Sequence, residues 1–148
     1  SGGFYPVSGV LTSKKIMSIM KVGMHGSTFG GSPLAGAVSK AAIKYAVDYK
    51  LSNNSEVLGK IFRDALWDIS KTRKIIKNVR GKGLLNAIVL DCDLNSKIPW
   101  EICLKLQEKG LLAKPTQGNK IRFAPPLIIT KRQLKKDISI IDESLRDF

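Results

Sequence analysis

The sequence predicts an α/β chain in two parts. Residues 51–148 read as a complete small α+β domain, and residues 1–50 as one edge of a larger α/β domain. Three observations carry this. From Ser55 onward, apolar periodicity runs helix, strand, helix, strand, strand, helix, enough elements to close a core. Before it stand a candidate strand, a glycine-rich loop and a long Ala-rich helix, with no partner strands of their own. The chain also opens on "SGGFYPVSGVL", which reads as the inside of a domain, so a piece of a longer protein is expected.

Tyr5, Val7, Val10 and Leu11 predict the first strand. Ser13 to Lys21 is a short connection or a helical turn. In "KVGMHGSTFGGSPLAG" (21–36), Ser32 and Pro33 predict a helix start, a serine cap with proline in the first turn. The helix that follows is rich in small residues, which permit close backbone approach. "LSNNSEVLGK" is expected to break it and cap the next helix. There Val57, Leu58, Ile61, Phe62, Ala65, Leu66 and Ile69 keep the helical period. Gly81 and Gly83 bracket a turn, and "LLNAIVL" (84–90) is a buried strand. Pro99 starts a helix with Ile102, Cys103 and Leu106 on one face, ended by Gly110. "LLAK" and "KIRFA" predict two short strands joined by "PTQGN". Thr130 and Gln133 form a capping box. Leu134, Ile138, Ile141, Leu145 and Phe148 then follow at steps of four and three.

Hydrophobic residues make up 43% of the 148, enough for a core, and no apolar run approaches the ~20 residues of a membrane helix. Membrane partners are therefore not expected. Cys92 and Cys103 do not make a disulfide framework and show no CxxC spacing. Cys103 sits on an apolar stripe, so a buried reduced thiol and an intracellular setting are expected. The formal charge of +13 raises the question of a polyanionic partner. Its basic runs, "KTRKIIKNVRGKG" and "TKRQLKKD", interleave no aromatics and match no helix-turn-helix, RNP or GXXG pattern. Solvated faces on a basic protein are the expected reading, and no nucleic acid is expected. A basic nucleic-acid-binding module remains the alternative, with steep salt dependence as its mark. A scaffold without activity would bind neither cofactor nor polyanion.

Glycine loses more conformational freedom on folding than other residues, so the loop at 21–36 costs entropy. By itself it reads as a turn with a capped helix behind it. His25 is the sole histidine, with no cysteine or acid paired to it in sequence, and a loop-shaping role is expected.

Four ordered segments give the loop a second meaning. "SGGFYPVSGVL", "HGSTFGGSPLA", "VRGKGLLNAIVL" and "GLLAKPTQGNKIRFAPPLIIT" resemble, at consistent spacing over nearly the whole chain, the class III pyridoxal-phosphate aminotransferases. "GLLAKPT" followed by "IRFAPPL" is most similar to the ornithine-using branch, and less close to the acetylornithine and 4-aminobutyrate branches. The resemblance implies the C-terminal part of a fold-type I transferase. Residues 1–50 would be a remnant of the large cofactor domain with the interdomain helix, and 51–148 the small domain.

It also implies roles. Ser27 and Thr28 match the hydroxyl pair that crosses the dimer interface to the cofactor phosphate of the neighbouring subunit. Short donors and close backbone N–H groups suit a phosphate. Arg122 matches the arginine that binds the α-carboxylate of glutamate or 2-oxoglutarate. A guanidinium makes two parallel hydrogen bonds to a carboxylate and keeps its charge. Met24, Phe29 and Ser32 depart from the family's usual residues without removing a phosphate donor. The Schiff-base lysine of the family falls upstream of Ser1, and Lys14, Lys15 and Lys21 are poor substitutes, so no catalytic residue is expected within 1–148. The expected substrates of the full-length homodimer are ornithine and 2-oxoglutarate, its cofactor is pyridoxal 5'-phosphate, and the isolated chain is expected to be inactive and free of cofactor. The expected compartment is cytoplasmic, with the mitochondrial matrix as alternative. Arg80, Gly81 and Gly83 read as a structural turn into the small-domain sheet.

Overall fold

A computed structural model describes residues 5–148. The chain divides into two compact units, the first ending at Tyr49 and the second spanning Lys50–Phe148.

In the first unit, α1 (Lys14–Met17) is a single turn whose N-terminus is capped by Ser13: its Oγ accepts from the Ile16 N–H at 3.4 Å. The long helix α2 spans Pro33–Asp48. Pro33 stands in its first turn as expected, but the Ser32 hydroxyl makes no capping bond. The helix starts instead on the Ser32 carbonyl, which accepts from the Gly36 N–H at 3.0 Å. The strand expected over 5–11 is not formed among the described residues of that stretch. A strand needs a neighbour for its N–H and C=O groups, and among the described residues this segment has none; Val10 and Leu11 stand almost fully exposed. No described residue of this unit is buried.

In the second unit, α3 runs Leu51–Thr72. The expected break at "LSNNSEVLGK" is therefore overturned. Only Tyr49 and Lys50 separate α2 from α3, and Lys50 takes the left-handed conformation (φ 50°) that ends one helix and admits the next. Ser55 does not cap. Its Oγ instead accepts from the Leu84 N–H at 3.0 Å, fastening α3 to the sheet.

The sheet has four antiparallel strands in the order β1-β2-β4-β3: β1 Ile76–Lys82, β2 Leu85–Leu90, β3 Lys114–Thr116 and β4 Lys120–Phe123. The expected "KIRFA" strand corresponds to β4. The "LLAK" strand is displaced: Leu111 to Ala113 are irregular and pairing starts at Lys114. β1 replaces what was expected to be a turn and a basic run. Gly81 lies within it, and the turn is Gly83–Leu84, with Gly83 at φ 54°.

The inner face, with Ile76, Val79, Ile88, Leu90, Ile121 and Phe123, packs on α3 and α4 (Ile98–Glu108), and α5 (Lys131–Ser144) packs in turn on α3 and α4. Leu58, Phe62, Leu66 and Ile69 from α3, Ile102, Cys103 and Leu106 from α4, and Leu134, Ile141 and Leu145 from α5 and its end complete one core. The aliphatic and aromatic members each contribute about 1.5–3 kcal/mol when fully buried. The capping box is present: Thr130 accepts from the Gln133 N–H, and Gln133 accepts from the Thr130 N–H. Cys103 is buried and reduced, and desolvation pushes its thiol up to about 11.

Candidate functional site

The loop before α2 holds the first pair of expected site residues. Thr28 to Gly31 form a turn, in which the Gly30 N–H donates to the Ser27 carbonyl at 3.2 Å. A Cβ on Gly30 would stand 3.1 Å from the Ser27 Cβ, so this turn is closed around a residue without a side chain. Ser27 and Thr28 are both exposed, and among the described residues neither hydroxyl makes an intramolecular hydrogen bond. Two adjacent free hydroxyls on a tight turn, with a helix N-terminus five residues on, are compatible with a phosphate as ligand. Phe29 is exposed; Met24 folds back so that its Sδ accepts from the Lys21 N–H. His25 is exposed on the same loop.

Arg122 lies in the second unit, on β4, between buried Ile121 and Phe123. Its side chain therefore points to the outer face of the sheet. The strand beneath it is held firmly. The Phe123 ring meets Phe62 of α3 edge-on, with centroids 5.7 Å apart. The chain then leaves through Ala124-Pro125-Pro126, and the Ile129 N–H donates to the Pro126 carbonyl. On α3, Asn54 donates its amide to the Leu127 and Ile129 carbonyls at 2.7 and 3.2 Å. Arg122 is exposed on this support, and a guanidinium can form two parallel hydrogen bonds to a carboxylate.

The sequence of the chain matches the class III aminotransferase family over residues 1–145. It belongs to that family. The class III chain is 50% identical over 148 residues to "Ornithine aminotransferase car2" of Schizosaccharomyces pombe, and 46% identical over 145 residues to the mitochondrial ornithine aminotransferase of Drosophila melanogaster. It covers 99% and 98% of itself in these comparisons but only 33% and 32% of the relatives, so it spans about a third of their length. Among solved structures, it superposes on an acetylornithine aminotransferase from Elizabethkingia anophelis with a TM-score of 0.93 at 50% identity, covering 99% of this chain and 38% of that one. On the ornithine δ-aminotransferase of Plasmodium falciparum the TM-score is 0.91 at 42% identity, with 100% and 37% covered.

Pyridoxal phosphate is the cofactor of this family, and the Ser27–Gly30 turn is chemically suited to its phosphate. The expected site residues are divided between the units: Ser27 and Thr28 in the first, Arg122 in the second. The sequence reading overlooked the company Arg122 keeps across the sheet, which emerges only from strand pairing.

Proposed function

We propose that the chain is the C-terminal third of an ornithine δ-aminotransferase. The whole enzyme moves the δ-amino group of ornithine to 2-oxoglutarate, giving glutamate semialdehyde and glutamate. The observation that carries this is the 42–50% identity to ornithine aminotransferases along nearly all of the chain, with Arg122 exposed on a rigid strand where a carboxylate can reach it. Residues 1–50 would then belong to the large cofactor domain and 51–148 would be the small domain. The chain by itself would be inactive.

In this reading pyridoxal phosphate would supply the electron sink for the amino transfer. Ser27 and Thr28 would hold its phosphate by donating hydrogen bonds from their hydroxyls, from the opposite subunit of a homodimer. Arg122 would hold the α-carboxylate of the oxo acid and so orient its carbonyl carbon. The uncovered apolar side chains of the first unit, among them Val10, Leu11 and Phe29, fit a surface made to be covered by the rest of the chain and a second subunit. The proposed compartment is the cytoplasm; the matrix is the alternative that relatives named mitochondrial favour.

The test uses full-length enzyme. Arg122→Lys keeps the charge and loses the two-pronged contact. It is expected to raise the KM for 2-oxoglutarate and lower kcat/KM by about tenfold, roughly 1.4 kcal/mol of transition-state binding. The ornithine half-reaction, followed in a single turnover, should change much less, because its reacting amine is far from its own carboxylate. Equal losses in both halves would assign Arg122 to the fold or the cofactor. A second reading, acetylornithine as amino donor, is favoured by the Elizabethkingia structure; turnover with N-acetylornithine but not ornithine would select it.

A further inference from the structure

Strand pairing places Arg122 in a row of cations. Across the sheet, Arg80 pairs with Ala87, Ala87 with Arg122, and Arg122 with Lys114. Direct cross-strand partners share a face, so Arg80, Arg122 and Lys114 stand in one line on the outer face. Lys82, opposite Leu85, and Lys120, opposite Val89 and Thr116, lie on the same face. None of the four strands contains an Asp or Glu. Arg80, Lys82, Lys120 and Arg122 line one open groove floored by Ala87.

Carboxylates are within reach of some cations elsewhere on the protein. Lys44, Lys60, Lys71, Arg73, Lys77, Lys105 and Lys109 each meet a carboxylate. Among the described residues, none of the five cations on the sheet face does so. Arg122 and Lys114 are directly opposite one another, an arrangement that destabilises a sheet when both carry like charge. An anionic ligand on this face relieves that repulsion.

We propose that this face is an electrostatic capture surface for the dianionic oxo-acid substrate, in which Arg80 and Lys114, with Lys82 and Lys120, raise the local concentration of dicarboxylate around Arg122. The inference rests on the reading of Arg122 as the carboxylate-binding residue. The four flanking cations are guiding residues: they act through their summed field, which a dianion feels twice as strongly as a monoanion, and which salt screens. A donor with net positive charge gains nothing from it.

The test compares full-length wild type with Arg80→Gln/Lys114→Gln and Arg80→Lys/Lys114→Arg, measuring kcat/KM for 2-oxoglutarate from about 20 mM to about 500 mM salt. The neutralised enzyme is expected to lose roughly fivefold or more at low salt, carried by KM, and to come within about twofold of wild type at high salt. The charge-conserving enzyme should follow wild type throughout, and the ornithine half-reaction should not slow. A deficit that persists at high salt, or that the charge-conserving variant shares, overturns the inference by making the residues structural. If Arg122→Lys impairs oxo-acid turnover while the neutralised enzyme matches wild type at low salt, the capture surface is wrong and Arg122's role stands. If Arg122→Lys also leaves oxo-acid turnover unchanged, both fall.

Discussion

Gly59 of α3 lies against Gly83 in the β1–β2 turn so closely that a Cβ on Gly59 would stand 1.9 Å from the Gly83 carbonyl oxygen. Two glycines thus let a helix touch a hairpin backbone to backbone. The same hairpin is held from α3 by Arg63, which donates to the Gly83 carbonyl at 2.8 Å and to the Asn86 amide oxygen at 3.1 Å. Gly59→Ala must push α3 away from the turn. A loss of about 1–3 kcal/mol or more is expected, read as a lowered denaturation midpoint. An unchanged midpoint would mean that the turn moves freely.

Arg73, just past α3, reaches Asp142 of α5 with two hydrogen bonds of 2.9 and 3.3 Å, both side chains being mostly covered. This forked pair ties the two helices over a sequence separation of 69 residues. Asp142→Asn removes the charge from one side and is expected to cost about 1.5–3 kcal/mol in chemical denaturation. Arg73→Lys should recover only part of the wild-type value, because an ammonium cannot reproduce the fork.

Asp137 of α5 lines an apolar cleft with Phe62, Phe123, Leu134 and Ile141. Burial raises its carboxyl above the ordinary value, and Lys136 offsets this in part. A raised carboxyl binds its proton more readily folded than unfolded, so its contribution to stability falls as pH rises through the carboxylate range. Asp137→Asn should therefore stabilise the protein at neutral pH, and the gain should vanish when both states are protonated in acid. A variant less stable than wild type at pH 7 would show that Asp137 has a favourable partner in its ionised form.

On the proposed homodimeric reading, Thr28→Ala in the full-length enzyme should weaken cofactor retention by on the order of 1.5–3 kcal/mol, one hydroxyl to a charged phosphate. The site that suffers should belong to the opposite subunit. Heterodimers pairing Thr28→Ala in one chain with a lysine-less second chain separate the two sites. A defect that follows the mutated chain's own site would place the phosphate contact within one subunit.

The sequence by itself determined the features written in local chemistry. Thr130 and Gln133 name a capping box wherever the helix lies, and the apolar stripe of Leu58, Phe62, Leu66 and Ile69 can only face a core. Ser27, Thr28 and Arg122 were legible as candidates through motif and order. Tertiary structure decided what depends on partners. Tyr5 to Leu11 has strand composition but, among the described residues, no neighbouring strand to satisfy its backbone, so composition alone misled. β1 hid among lysines because an irregularity between Ile76 and Asn78 breaks the two-residue alternation that marks a strand. The row of Arg80, Arg122 and Lys114 was invisible for a different reason, that it depends on strand pairing. Arg80 and Arg122, 42 positions apart, share a line only because β2 pairs with both β1 and β4, and Lys114 joins it only because β3 pairs with β4; pairing is set by the core beneath and not by the sequence between.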